Sequence, residues 1–361
     1  MGCCFCRQAC LAIAALVHSF QSAIVNTKST NLVRDRVADL LNPKTRILVV
    51  GEMMLDEFIW GRVSRISPEA PVPVVEVQRQ TFDAGGAANV ARNLREFVDD
   101  VHMLSLIGTG TDAVILRELL EARGIHMDAV IADAAYTTIR KTRVIARNQQ
   151  VVRVDREMRR SFTEAQLATA LHHIEALLPS LDALILTDYD KGLLTQPFVD
   201  AVIARARKLG KIVNVDPKPS NTIQWHDVTC VTPNRTEAFR AAGHPLTDPI
   251  DPPLEDPALM EVGRILLEKW GCDHLLVTLS EQGMMLFDPK RPPYHIPTRA
   301  QEVIDVSGAG DTAIAVLTAA LAGGASPSEA AEISNHASGL VVAKTGTAVA
   351  TRDEVLASFR R

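Results

Sequence analysis

The chain patterns as a three-layer α/β fold: a mostly parallel central sheet flanked by helices, with a small β-sheet lid set apart from it. Three observations predict this. Apolar runs of strand length alternate with helix-length segments from Arg46 onward. Two stretches, 58–81 and 137–155, interrupt that alternation with extended, two-residue periodicity. The composition, 47% hydrophobic but only 4% aromatic over 361 residues, suits a core of Ala, Val and Leu. A formal charge of -5 gives no support to nucleic-acid binding, and no apolar run reaches bilayer-spanning length. The ten histidines show no metal-ligand spacing such as His-x-x-x-His.

Taken in order, residues 1–44 form a leader ahead of a domain expected over 45–361. Cys3, Cys4, Cys6 and Cys10 crowd its start, followed by a short apolar run, Ala9 to Val17. It lacks the basic flank and cleavage site of a signal peptide and reads as a disordered tail or an overlong start, with a short helix near 31–42. Arg46 to Gly51, RILVVG, is the opening buried strand. The segment 58–81, with its PVPVV, reads as lid edge strands. Gly85-Gly86-Ala87-Ala88-Asn89 leads into a helix ending near Phe97; Val101 to Ile107 is a strand and Asp112 to Arg123 a helix. TTIRKTRVIARNQQVVRVD, from Thr137, completes the lid. A helix near 163–178 follows. Strands are expected near 183–187, 211–215, 228–232, 274–279 and 284–287, and helices near 196–209 and 257–270, the last closed by Gly271. The Pro-rich stretch 245–257 is a loop. Cys230 and Cys272, alone in apolar settings, read as buried thiols of a reducing, cytoplasmic compartment.

The stretch with the most chemistry is Asp305-Val306-Ser307-Gly308-Ala309-Gly310-Asp311-Thr312, which opens a small-residue helix. Free N–H groups at a helix N-terminus hold anions, and Gly308 and Gly310 let backbone approach a phosphate. An acid there repels a resting phosphate. Asp311 is therefore either an ordinary capping residue or a general base taking a proton from a hydroxyl that attacks ATP. Other polar residues stand at strand ends, where open α/β sheets bind ligands. Asp56 and the Gly85–Gly86 turn with Asn89 suit polyol hydroxyls, while Asp188 and Lys191, in TDYDKG, are expected with the lid residues on the substrate side, Lys191 beside a substrate phosphate. Asn234 and Glu237, in TPNRTE, suit phosphate oxygens and Mg²⁺ held through water; helix capping is the plainer alternative. Thr278, Ser280 and Gly283 suit a phosphate-to-ribose path or an ordinary hairpin. Asn335 is expected to begin a helix beside an adenine pocket. In the basic lid strand, Lys141, Arg143 and Arg147 share parity and Arg140 points the other way. The first three suit a substrate phosphate, with Asn148 and Gln149 on its hydroxyls; a solvated basic edge that deters aggregation is the alternative.

With these residues assembled, the chain from about residue 45 resembles the PfkB (ribokinase-like) carbohydrate kinases. DVSGAGDT is similar to that family's C-terminal signature, GGAAN to its sugar motif, and TPNRTE to its phosphate and Mg²⁺ motif. The resemblance implies a ribokinase-like fold, with Asp311 as base and Gly308, Ala309 and Gly310 as anion hole. SRISPEAPVPVVEV, TRVIARNQQVVRVD, TDYDKG and VNVDPK narrow it to family members acting on D-glycero-β-D-manno-heptose 7-phosphate. That implies ATP as donor, the anomeric hydroxyl as nucleophile, Mg²⁺, room for a monovalent cation such as K⁺, and a homodimer through the lid. The 1,7-bisphosphate product would serve ADP-heptose and lipopolysaccharide core synthesis. A kinase-only enzyme is expected, since the sequence stops soon after the kinase motifs. The rivals are a kinase for another sugar phosphate or a nucleoside, and a non-catalytic sugar sensor. A Rossmann oxidoreductase is disfavoured because GEMMLD stands where G-x-G-x-x-G belongs.

Overall fold

The computed structural model describes residues 32–147, 149–300, 303–344 and 346–360. The cysteine-rich leader and Asn148 lie outside them. In chain order the elements are α1 (Arg34–Leu40), β1 (Arg46–Gly51), β2 (Met53–Ile66), β3 (Pro73–Gly86), α2 (Ala87–Arg95), β4 (Asp100–Leu104) and β5 (Leu106–Ile107). Next come α3 (Thr111–Glu121), β6 (Ile125–His126), β7 (Ile131–Ala132), β8 (Ile139–Ala146), β9 (Gln149–Arg156), α4 (Glu164–Leu177), β10 (Ala183–Thr187) and α5 (Gln196–Lys208). Then follow β11 (Ile212–Asp216), β12 (Cys230–Val231), α6 (Arg235–Ala242), α7 (Pro257–Trp270), β13 (His274–Thr278), β14 (Met284–Asp288) and β15 (Arg291–Ile296). The chain closes with α8 (Ala309–Ala322), α9 (Pro327–Val341) and α10 (Arg352–Ala357).

Nine strands form the central sheet in the order β15-β14-β13-β12-β11-β10-β1-β4-β6. Pairing is parallel from β6 through β13 and antiparallel at β14 and β15. Alternation along β1 splits the core: Ile47 and Val49 join one buried cluster, Leu48 and Val50 the other. The first cluster gathers α2, α8 and α9, the second α4, α5 and α7, giving the three layers. Truncating Leu48 or Ile47, both fully buried, to Ala costs about 2–5 kcal/mol on this account. Among the described residues no helix is long and apolar enough to cross a membrane. Cys230 and Cys272 are buried free thiols, and burial pushes the Cys272 thiol up to about 12, which keeps it unreactive.

The lid is a separate four-stranded sheet, β3-β2-β8-β9. Its strand β2 starts one residue after β1 ends, so Glu52 alone separates these two strands. The buried start of β2 (Met53–Leu55) belongs to the core, and the strand becomes exposed toward its far end. β9 is exposed along its whole length, Val151, Val152 and Val154 included.

Two expectations are corrected. Val101 to Ile107 is not one strand: the chain breaks at Ser105, β4 staying in the central sheet while β5 pairs with β7. The Ser105 hydroxyl accepts from the Met53 amide (3.3 Å), which ties the break to the base of the lid. Asn335 does not begin a helix. It lies within α9, which starts at Pro327 behind a Ser326 capping box, and its Nδ2 donates to the Pro297 carbonyl (2.7 Å).

Candidate active site

Helix α8 fixes the centre of the site. Its cap residue, Gly308, has φ of +80°, a left-handed conformation that glycine adopts without cost. A Cβ there would also meet Asn89 Nδ2 at 2.9 Å. Among the described residues no side chain caps the helix; the Ala309 amide donates to the Val306 carbonyl (3.3 Å), and the next amides are left unclaimed by any carboxylate or hydroxyl. Small residues carry α8 into the interior, where Thr312 through Ala320 are buried. Asp311 is not the cap. It sits in the first turn with both oxygens held by other elements.

Asn89 Nδ2 donates to Asp311 Oδ2 (2.6 Å) and the Tyr189 hydroxyl donates to Oδ1 (2.7 Å). Neither donor is loose. Asn89 Oδ1 accepts from Arg92 (2.9 Å) and from Asn93 (3.3 Å), which fixes the amide orientation and aims its NH₂ at Asp311. Arg92 is itself held by Asp83 (3.1 Å) and by the Thr347 carbonyl. Tyr189 is positioned by Glu52, whose buried carboxylate accepts from the amides of Tyr189 (3.0 Å), Lys191 (3.2 Å) and Leu193 (3.1 Å). Burial pushes the Asp311 carboxyl above the ordinary range, and the Asn89 and Tyr189 bonds pull it back. An oxygen base of raised affinity for a proton, still ionisable, is the result.

The octet that ends in α8 divides two cavities. One, of about 190 Å³, is lined by Asp188, Asp216, Lys218, Asn234, Glu237, Thr278 and Gly310. The other, of about 550 Å³, lies under the lid against Phe58, Trp60, Arg143, Gln150, Asp305 and Ser307. Gly310 faces the first, while Asp305 and Ser307 face the second.

The smaller cavity is rich in carboxylates. Burial pushes Asp188 up to about 7 and Asp216 well above its usual range, with Glu237 adding to the latter. Asp188 Oδ2 is buried without a hydrogen-bond partner. Glu237 and Asn234 close a capping box on α6, and Glu237 Oε1 takes Lys218 Nζ (2.9 Å), so the capping role holds while both residues face the cavity. Asp188 belongs here rather than with the lid residues, because strand β10 ends beside β11.

Behind the lid pocket Asp56 is buried and accepts from Nη1 of the pocket residue Arg143 (2.7 Å). Gly85, on the facing strand, leaves room for that carboxylate: a Cβ would meet Asp56 Oδ2 at 2.5 Å. Gly86 has φ of +58° and caps α2, which starts the turn that carries Asn89. The basic strand divides as parity requires: Arg140 turns away to Asp112 (3.0 Å) and Glu57 (3.5 Å), while Arg143 lies over the Phe58 ring. Lys141 shares the face of Arg143, is half-buried, and makes no ion pair among the described residues. Burial lowers its pKa, with Asp56 and Asp155 opposing.

Arg147 departs from the expected parity. The strand ends at Ala146, Arg147 takes a left-handed φ of 51° in the turn, and its guanidinium donates to the Val63 carbonyl (3.1 Å). Gln150, not Gln149, lines the pocket, and Gln149 is exposed. Lys191 is paired with Glu157 (2.9 Å). Thr278 reaches the smaller cavity, whereas Ser280 and Gly283 form the turn beyond it, with Gly283 packed on the Ile296 carbonyl. Sequence reasoning missed Tyr189, Glu52 and Arg92. Tyr189 stands inside TDYDKG, but a tyrosine beside two aspartates carries no signal of its own.

Comparison with known proteins bears on this geometry. Residues 44–354 match the pattern of the pfkB family carbohydrate kinases. The chain is 41% identical over 315 residues to the bifunctional protein HldE of Desulfatibacillum aliphaticivorans, covering 87% of this chain and 63% of that protein. It is 42% identical over 309 residues to HldE of Pelobacter propionicus, covering 86% and 62%. The chain thus spans less than two thirds of the length of these relatives. Among solved structures, ribokinase of Arabidopsis thaliana with ribose and ATP superposes with a TM-score of 0.69 at 19% identity, over 88% of this chain and 99% of that one. Phosphofructokinase-2 of Escherichia coli in complex with potassium gives 0.70 at 18%, over 87% and 98%. These structural likenesses show the ribokinase-like α/β fold.

Proposed function

The chain belongs to the pfkB family of carbohydrate kinases, and on that premise we propose that it phosphorylates the anomeric hydroxyl of D-glycero-β-D-manno-heptose 7-phosphate with ATP. The observation that carries the proposal is Asp311 on the octet between a carboxylate-lined cavity and a lid pocket lined by Arg143. Sugar on the lid side and ATP phosphates on the other meet at the N-terminus of α8. Asp311 takes the proton of O1 as the O1–P bond forms; the bond from the γ-phosphorus to the bridging oxygen breaks and ADP leaves. The amides at Gly308, Ala309 and Gly310 hold charge on the transferring group. Lys141, uncommitted on the lid face, is the best-placed cation for the 7-phosphate, with Arg143 beside it. Asp56, the Gly85–Gly86 turn and Asn89 hold hydroxyls.

Mg²⁺ fits the smaller cavity, since Asp188 Oδ2 lacks a partner and Asp216 and Glu237 add oxygen donors, the ligand type that ion takes. Bound there, it supplies positive charge to the phosphate oxygens. A monovalent cation such as K⁺ and a homodimer joined through the exposed strand β9 complete the proposal; activity in K⁺ against a tetraalkylammonium salt, and sedimentation, test them. Setting is cytoplasmic, and the product enters ADP-heptose synthesis.

The test is ATP consumption with heptose 7-phosphate against unphosphorylated heptose and other hexose and pentose phosphates. Preference for the heptose phosphate, lost with Asp311→Asn by about 10²–10⁴-fold, is the expected result. In Lys141→Met the KM for the sugar phosphate rises while the KM for ATP holds. Equal use of unphosphorylated heptose by the native enzyme defeats the substrate assignment.

A further inference from the structure

At the β4–β6 edge of the central sheet stands a cluster that phosphoryl transfer does not use. Asp100 opens β4, and His102, two residues on, points to the same face. Strand β6 lies alongside in parallel with His126 in register with His102, so the two imidazoles stack, ring centroids 4.6 Å apart and 21° from parallel. Both present Nε2 to one atom, Asp100 Oδ1, at 2.8 Å from His102 and 3.5 Å from His126. The three donor atoms all lie within 4.8 Å of one another.

We propose that Asp100, His102 and His126 form a binding site for a divalent transition-metal ion of the Zn²⁺ class, distinct from the Mg²⁺ cavity. Two imidazoles and one carboxylate suit Zn²⁺, and the nitrogen donors discriminate against Mg²⁺, which prefers an all-oxygen shell. The carboxylate is already oriented: Arg46, on the adjoining strand β1, holds Asp100 Oδ2 (2.5 Å) and leaves Oδ1 toward the imidazoles. Such outer support of a ligating carboxylate is what metal sites require. Asp100 Oδ1 is buried and has no partner of hydrogen-bond geometry, so the histidines approach it without satisfying it. His126 is about half exposed, with 48% of its side chain open, giving the ion a route in and leaving its fourth position to water. A bound ion would clasp β6, only two residues long, to β4 and so secure that edge of the sheet.

The experiment uses the full chain, wild type and with Cys3, Cys4, Cys6 and Cys10 replaced by Ser so that thiolates cannot compete, in Mg²⁺-containing buffer. Added Co²⁺ is read by its visible d–d bands, and added Zn²⁺ by the thermal midpoint. The expected result is one equivalent of Co²⁺ bound in a nitrogen- and oxygen-donor environment, displaced by Zn²⁺. At free Zn²⁺ of about 100 times Kd the folding equilibrium shifts about 100-fold toward the native state. His126→Ala, at a half-exposed position, weakens binding by more than about tenfold and so cuts that shift to about tenfold or less, while His172→Ala leaves both intact. Absence of a Co²⁺ spectrum in the chain lacking the four leader cysteines, or binding unchanged by His126→Ala, overturns the proposal.

Discussion

Tyr189→Phe removes one hydroxyl and nothing else, so its effect on Asp311 is calculable. The hydroxyl donates to Asp311 Oδ1 at 2.7 Å, a bond that favours the ionised carboxylate. A hydrogen bond to a charged group contributes about 1.5–3 kcal/mol, and about 1.4 kcal/mol corresponds to one pKa unit. Loss of this bond therefore raises the Asp311 pKa by about 1–2. The base works only when ionised, so activity is present above its pKa and lost as pH falls through it. The acid limb of the kcat/KM profile should accordingly move to higher pH by about 1–2 units. The plateau above it falls far less than in Asp311→Asn, because the base is still there and has become more basic. A limb that stays in place, with the rate lowered equally at all pH values, refutes the role given to Tyr189.

Two further predictions follow from the same geometry. Gly308→Ala puts a side chain into left-handed backbone at φ +80° and against Asn89 Nδ2; it should cost about 1–3 kcal/mol in urea unfolding and lower kcat by displacing Asn89 from Asp311. The raised carboxyls of the smaller cavity make metal-free stability pH-dependent. Asp188, raised from 3.8 to about 7, contributes stability that is full below its unfolded value and lost as pH rises through about 7. The thermal midpoint without metal should fall between about pH 4 and pH 7, and Mg²⁺ should restore more of it at the upper end; a flat profile counts against the buried carboxylate.

Fold class and the order of elements were legible because strand and helix periodicities differ and the chain keeps each within separate segments. The break at Ser105 was not, since Val101 to Ile107 is apolar on both sides of it and only the tie to Met53 reveals the change of sheet. In the site, residue types with a chemistry of their own stood out: the Gly308–Asp311 turn, Asp56, and the basic strand. What could not be read was which cation is already spent. Arg143, Arg140 and Lys191 each meet a carboxylate brought from elsewhere in the chain, and Lys141 does not. Arg147 left the expected face because the strand ends one residue before it. Asp100, His102 and His126 escaped for a related reason. No linear spacing announces them, and strand register alone sets the two histidines side by side.

One joint in the fold serves both ends of the site. Glu52 is the whole connection between β1 and the lid strand β2, and its carboxylate grips the backbone that presents Tyr189. The residue that sets where this strand leaves the core therefore also sets where a donor meets the base. A change confined to its carboxylate would be felt at Asp311 without altering the lining of either cavity.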